Sequence, residues 1–382
     1  MEQKPEEGVV IKTDDAPQSG RRRPKIEKKQ ELLFKVTSMS DIIDDNAESC
    51  EKFRKVLGNI IAEGDITLFW GPAGTGKSAF GYQIAEAIGS GKDFFDIPLD
   101  EGLRSEEEER FRLVNTIQPS EKVLYIDFEM GPEKLAYRYK GYKPSKNIKV
   151  MHFENYAVND KTAYIEVIRK YVEEHKIKFV IIDNLSNLIT ESEKGDRATT
   201  FMNTLKQMAK DFSLTLIVLN HSNKFNRLDR KTPDQMKGNA QLTNFADSVF
   251  AISAATEGKN VRYLIQQKCR YGQEQFGDDN VIKMDLIKMK NGFLGFAFAG
   301  YGKESSLLNP DIVKIEDAIL SVLSEDIDMS CAEIARKLND LYGNKEKKLQ
   351  DRSFERRINY YVKKYDLRMI SKLRKENKEL TL

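Results

Sequence analysis

Asp65-Ile66-Thr67-Leu68-Phe69-Trp70-Gly71-Pro72-Ala73-Gly74-Thr75-Gly76-Lys77-Ser78 is the stretch on which the reading of this chain turns. Its first half is an apolar run suited to a strand buried on both faces. Its second half satisfies G-x-x-x-x-G-K-S, and a helical pattern follows at Phe80, Ile84, Ala87 and Ile88. A glycine-rich turn between strand and helix is what phosphate binding requires. At Gly71, Gly74, Thr75 and Gly76 the backbone N–H groups can turn inward around phosphate oxygens, and the helix start adds positive potential. Lys77 then reaches the β and γ phosphates and Ser78 ligates Mg²⁺, so ATP and Mg²⁺ are the ligands this pattern implies.

Further apolar runs follow at Val123–Ile126, Phe179–Ile182 and Leu214–Leu219, alternating with helical patterns. That alternation predicts an α/β fold with a mostly parallel central sheet. Later runs at 249–252, 261–265 and 281–284 are joined by polar turns, so the sheet is expected to end antiparallel. Asp183 closes one apolar strand, which sends its carboxylate to the end where open α/β sheets bind ligands. Beside a phosphate loop it is a second Mg²⁺ ligand. Glu129 lies just beyond the strand that starts at Val123, where a carboxylate can orient the attacking water, with Asp127 as the competing candidate.

Lysine and arginine number 62 and acids 60 in 382 residues, so the net charge is +2 and any nucleic-acid surface must come from local clustering. Cys50, Cys269 and Cys331 are too few and too scattered for a disulfide framework or a zinc site. The N-terminus lacks a signal-peptide layout and no apolar run is long enough to span a membrane. A cytoplasmic protein with no membrane role is expected.

Several of these motifs, in this order, resemble the RecA-like ATPases. They are the phosphate loop, Tyr125-Ile126-Asp127-Phe128-Glu129 with Pro132, Leu135 and Arg138, then Val180–Asp183, Leu219-Asn220-His221 and Lys237-Gly238-Asn239. The similarity is greatest to the RepA-type plasmid replication helicases and their phage and mobile-element relatives, over residues 50–300. The resemblance implies a RecA-like P-loop core, a catalytic glutamate at Glu129 and a γ-phosphate sensor at His221. It also implies a ring, expected to be a hexamer, that moves on single-stranded DNA as a DNA-stimulated ATPase. Lys268-Cys269-Arg270-Tyr271-Gly272 resembles a stretch of the DnaB-type ring helicases, in which two cations reach into the neighbouring subunit's nucleotide. Lys268 and Arg270 are therefore the expected finger. RepA's own finger position falls near Asp247, an acid here.

Segment 222–237 carries five cations against Asp229 and Asp234. Lys224, Arg227, Arg230 and Lys231 are read as gripping single-stranded DNA in a central channel, with Phe225 placed to stack on a base. Residues 345–382 hold 13 lysines and arginines and 6 acids, a net of +7. Three helical patterns from residue 311 onward, at Ile315–Val322, after Ser330 and from Ser353, and an alternating tail at Leu367–Leu382 resemble a winged helix. Arg356, Arg357, Lys363 and Lys364 are its expected duplex-DNA contacts, and protein docking is the other reading. The expected organisation is a disordered basic tail at 1–35, an ATPase domain at 36–302, a linker at 303–310 and the winged-helix-like domain at 311–382. Residues 101–121, which include four consecutive glutamates, are read as a surface insertion.

Overall fold

The computed structural model describes residues 38–41, 55–96, 113, 115–117, 120–153, 162–187, 196–223, 228, 230–236, 239–270, 272–308, 310–342, 358–359 and 362. The chain divides into two compact units, residues 1–53 and 54–382. In the first, Ser38–Asp41 form a helical turn whose start is closed by Asp41 N–H donating to Ser38 Oγ at 3.1 Å. The basic tail expected at 1–35 lies outside the described residues.

The second unit is built on a nine-stranded sheet. A hairpin precedes it, β1 (Lys55–Leu57) paired with β2 (Ile61–Ala62). The sheet strands are β3 (Ile66–Gly71), β4 (Val123–Asp127), β5 (Ile148–His152), β6 (Phe179–Asp183), β7 (Thr215–His221), β8 (Ser248–Ala254), β9 (Val261–Cys269), β10 (Val281–Lys288) and β11 (Leu294–Gly302). Their order is β11-β10-β9-β8-β3-β7-β6-β4-β5. The six strands from β8 to β5 are mutually parallel, and β9, β10 and β11 extend the sheet antiparallel. This is the expected α/β class, with a mostly parallel sheet that ends antiparallel. The strands β3, β4 and β6 are buried along their whole length, as aliphatic runs between two helical layers must be.

One face of the sheet is covered by α1 (Lys77–Ser90), and the other by α3 (Thr162–His175) and α4 (Asp196–Phe212); the short α2 (Pro132–Arg138) follows β4. Leu68 and Trp70 of β3 point to the α3/α4 side, and Phe69 points to the α1 side. Phe69 stacks on Phe250 and meets Phe80. Burying one such side chain contributes roughly 1.5–3 kcal/mol, so alternation along a single strand ties both layers together. The antiparallel extension also holds α1. Gln83 Nε2 donates to Phe94 O and Phe296 O, and its Oε1 accepts Phe296 N–H at 2.6 Å.

Residues 101–121 correct one expectation. In their described part, Leu113 and Ile117 are buried in the α1-side core and Asn115 Nδ2 donates to Ala87 O at 2.7 Å. This end of the segment is packed structure rather than surface, because Asn115 supplies a donor for a carbonyl in the last turn of α1.

Downstream come α5 (Asn239–Phe245), α6 (Glu304–Leu307), α7 (Pro310–Glu325) and α8 (Cys331–Tyr342). The expected capping box opens α8, with Ser330 N–H donating to Glu333 Oε2 and Glu333 N–H to Ser330 Oγ. Ile319, Val322, Leu323, Ile334, Leu338, Ile358 and Val362 form a separate small core. The hairpin of the expected winged helix falls outside the described residues.

Candidate functional site

Parallel register brings the ends of four strands to one edge. Gly71 pairs with His221, Asp127 with Asp183, and Asp183 with Leu219. The residues expected to bind and cleave a nucleotide are thus delivered by β3, β4, β6 and β7 to a single crevice.

The phosphate loop begins where β3 stops. Gly74 and Gly76 take φ of 75° and 97°, a left-handed backbone that most side chains resist. A Cβ at Gly76 would also sit 2.7 Å from the Phe296 ring. Lys77 is buried, and its Nζ donates to the carbonyls of Gly71 and Pro72, each at 2.9 Å. Thr75 Oγ1 donates to Pro72 O at 2.9 Å and steadies the turn. Gly71 O also accepts Ser222 N–H at 3.1 Å, which fastens the loop to the chain just past His221.

Asp183 is buried at the end of β6. Its Oδ2 accepts the Tyr125 hydroxyl at 2.6 Å, and the Ser78 side chain is also hydrogen-bonded to the carboxylate. Burial pushes this acid up to about 6; the Tyr125 and Ser78 hydrogen bonds pull the other way, and the charges of Glu129 and Asp127 push it further up. A hydroxyl and a carboxylate in contact beside a phosphate loop form the hard-oxygen set that suits Mg²⁺, which takes one or two protein oxygens and completes its shell from phosphate and water. Among the described residues no group of three or more His, Cys, Asp or Glu could hold a metal ion.

Asp127 and Glu129 divide clearly. Asp127 is buried and its carboxylate is consumed by the turn. Oδ1 accepts the N–H groups of Glu129 and Met130 at 2.8 and 2.9 Å, Oδ2 accepts that of Gly131 at 3.2 Å, and His152 Nδ1 stands 3.5 Å away. Glu129, by contrast, has a side chain 42% exposed. Its Oε2 accepts Asn184 Nδ2 at 2.7 Å and lies 3.5 Å from His221 Nε2. The His221 contact, aided by Asn184 and Lys77, holds its pKa down to about 2 despite partial burial. Glu129 is therefore ionised at neutral pH. Asp127 shapes the turn that presents it.

The expected finger residues sit on β9 and just past it, and both are engaged within their own chain. Lys268 Nζ donates to Thr243 O and Ala246 O, around the end of α5. Arg270, 40% exposed, pairs with Asp247 at 2.6 Å. Asp247 is thus the partner of the arginine expected to serve as the finger.

Two of the expected DNA contacts require correction. Arg230 and Lys231 are buried, not presented to solvent. Arg230 Nη1 pairs with Glu304, itself fully buried, and with Asp278 at 3.2 Å, and Tyr263 Oη donates to the same glutamate at 3.1 Å. The Lys231 carbonyl accepts Gln267 Nε2 at 2.7 Å, and Gln267 Oε1 accepts the Trp70 indole N–H at 2.8 Å. A buried carboxylate is costly unless it is paired and hydrogen-bonded, and Arg230 supplies the charge partner of Glu304. Lys224, Arg227, Lys237 and Phe225 lie outside the described residues, as do Arg356, Arg357, Lys363 and Lys364. The loop's base is described: Ser222 bridges Met236, and Asn223 N–H donates to Gln235 O at 2.8 Å.

Sequence reading missed Tyr125 and Asn184. The signal for Tyr125 was a hydroxyl inside an otherwise aliphatic strand, and that for Asn184 was an amide directly after the strand-ending aspartate.

The family model of the AAA domain matches residues 30–227, just over half of the chain, and the chain belongs to that family. It is a P-loop ATPase, a class that uses ATP and ordinarily Mg²⁺. No curated protein sequence matches. Among solved structures, the KaiC-like protein PH0186 from the hyperthermophilic archaeon Pyrococcus horikoshii OT3 is 14% identical, with a TM-score of 0.45 over 64% of this chain and 99% of its own. No helix among the described residues is long and apolar enough to cross a membrane.

Proposed function

We propose that this chain is a ring-forming DNA helicase or translocase of the RepA type that hydrolyses ATP during replication of a mobile element or phage in the cytoplasm. One observation carries the reading. Lys77, the Ser78–Asp183 pair and Glu129 meet at the carboxyl edge of the sheet, and the strand bearing His221 runs straight into a loop closed at its base by Ser222 and Met236. Nucleotide chemistry and the segment that carries Lys224 and Arg227 are separated by one residue.

In this mechanism Lys77 releases the Gly71 and Pro72 carbonyls to neutralise the β and γ phosphates. Ser78 and Asp183 hold Mg²⁺, which supplies charge neutralisation on the phosphates when bound. Glu129, whose acid strength favours the carboxylate, orients and polarises the attacking water rather than storing its proton. That suffices for a loose phosphoryl-transfer transition state, where positioning and charge stabilisation dominate. His221 senses the γ-phosphate and passes that state through Ser222 to the loop. Lys224 and Arg227 grip single-stranded DNA. The nucleotide lies between subunits of a hexamer, and Arg270 leaves Asp247 to stabilise charge in the neighbour's site, with Lys268 beside it. Residues 311–382 act as a winged-helix-like module that docks duplex DNA through Arg356, Arg357, Lys363 and Lys364.

A second reading, an ATP-switched DNA-binding regulator with little unwinding, is favoured by one specific feature: Lys268 and Arg270 are both bonded to their own α5–β8 turn. Strand displacement, measured beside ATP hydrolysis with and without single-stranded DNA, separates the two. The helicase reading expects DNA-stimulated hydrolysis with displacement, and assembly on sizing with a non-hydrolysable ATP analogue. Stimulated hydrolysis without displacement transfers the assignment to the regulator.

A further inference from the structure

Asn184 is buried at the first position after β6, and its amide nitrogen lies 2.7 Å from Glu129 Oε2 and 2.9 Å from His221 Nε2. The orientation of that amide is fixed by chemistry. An ionised carboxylate only accepts hydrogen bonds, so the atom facing Glu129 must be the nitrogen and not the carbonyl oxygen. An amide nitrogen carries two hydrogens and accepts none, so its contact with Glu129 is a donation from Asn184.

Two consequences follow for the neighbours. Torsion about the last bond of a glutamate is broad, and a carboxylate with no fixed partner turns freely. Asn184 pins Oε2, while Oε1 makes no hydrogen bond among the described residues and is the oxygen left for water. On the other side, the same amide nitrogen faces His221 Nε2 at 2.9 Å. A γ-phosphate oxygen that engages His221 through Nε2 must displace Asn184 from it. The phosphate and Asn184 therefore compete for the same ring nitrogen.

Asn184 is well placed to keep this geometry, since the residues around it are locked. Leu185 is buried in the core, and Ser186 Oγ accepts the His221 backbone N–H at 3.2 Å while donating to Asn220 Oδ1 at 2.7 Å. The turn after β6 and the end of β7 are thus held both by backbone and by side chain.

We propose that Asn184 is a positioning residue for hydrolysis: it fixes the Glu129 carboxylate with Oε1 available to the attacking water, and it links that carboxylate to His221, so capture of His221 by a γ-phosphate is felt at Glu129. This rests on Glu129 being the water-orienting acid. Misplacing such a group by about 1 Å costs on the order of 100-fold in rate.

The test combines Asn184→Ala and the isosteric Asn184→Asp with Glu129→Gln, reading kcat for ATP, affinity for a non-hydrolysable ATP analogue, and melting temperature. The expected result for Asn184→Ala is a roughly 10- to 100-fold fall in kcat with analogue affinity within about twofold of wild type. Asn184→Asp sets a second carboxylate against Glu129 and loses at least as much, in a protein of the same shape. In the Glu129→Gln background, Asn184→Ala adds no further loss to the residual rate, because its effect passes through the missing carboxylate. If Glu129→Gln itself turns over normally, the reading of Glu129 fails and this inference with it. If Glu129→Gln is inactive but Asn184→Ala keeps its kcat, loses mainly analogue affinity, or multiplies the residual loss, the positioning role alone is overturned.

Discussion

The phosphate loop at 71–78 and the loop at 222–236 leave neighbouring strands of one sheet at the same edge, with Gly71 and His221 in register. The first does what its residues announce and the second does not. Glycines at 74 and 76 are demanded by backbone angles set within the loop, so the motif and its shape are one piece of information. The cations of the second loop carry no such local instruction. Arg230 is drawn to Glu304, 74 residues further on, and ends up 6% exposed. A backbone requirement travels with the sequence, whereas the destination of a charge depends on which acid the fold brings near it.

The contrast breaks at its strongest point if Arg230 is not structural. Arg230→Ala leaves Glu304 buried without its cation, and the expected loss is about 3–5 kcal/mol in denaturant unfolding. A loss under about 1 kcal/mol returns Arg230 to the surface and to DNA. Gly71→Ala probes the other loop: its Cβ would lie 2.2 Å from the Ile252 carbonyl, a backbone atom that cannot swing aside. Overpacking of this kind costs about 1–3 kcal/mol, seen as a lower melting temperature whether or not nucleotide is present.

A third effect tests the metal acid. Asp183 is raised from 3.8 to about 6 by burial, so the folded protein holds a proton that the unfolded chain has released over that interval. Metal-free stability is therefore fullest below about pH 4 as far as this group is concerned, and falls as pH climbs to about 6. Asp183→Asn removes that slope and stabilises the metal-free protein at pH 7 by up to about 3 kcal/mol. An unchanged pH profile of unfolding contradicts the buried-acid account. The smallest effect concerns the cations that remain for DNA. Lys224→Ala and Arg227→Ala should each lower the slope of log affinity for single-stranded DNA against log salt by about 0.7. Equal slopes would take the loop out of the DNA-binding reading.

Much of the sheet was legible because β3, β4, β6 and β7 are aliphatic runs that only a doubly covered strand explains. β5 and β11 were not. Ile148-Lys149-Val150-Met151-His152 is an edge strand with half-buried side chains, and Leu294–Gly302 intersperses glycine and alanine with aromatics because it packs on α1. Within the site, the glycines, Lys77, Ser78, Asp183 and Glu129 were visible as types at spacings. Tyr125 and Asn184 were not, since their partners stand 58 and 55 residues away and only the parallel register brings them together.

The central claim is that one carboxylate, Glu129, directs water at a nucleotide held by the adjoining phosphate loop. It is tested most directly by measuring ATP hydrolysis by Glu129→Gln beside its affinity for ATP. The account predicts a fall in kcat of about 10²–10⁴-fold with binding intact. Turnover within a few-fold of wild type would contradict it.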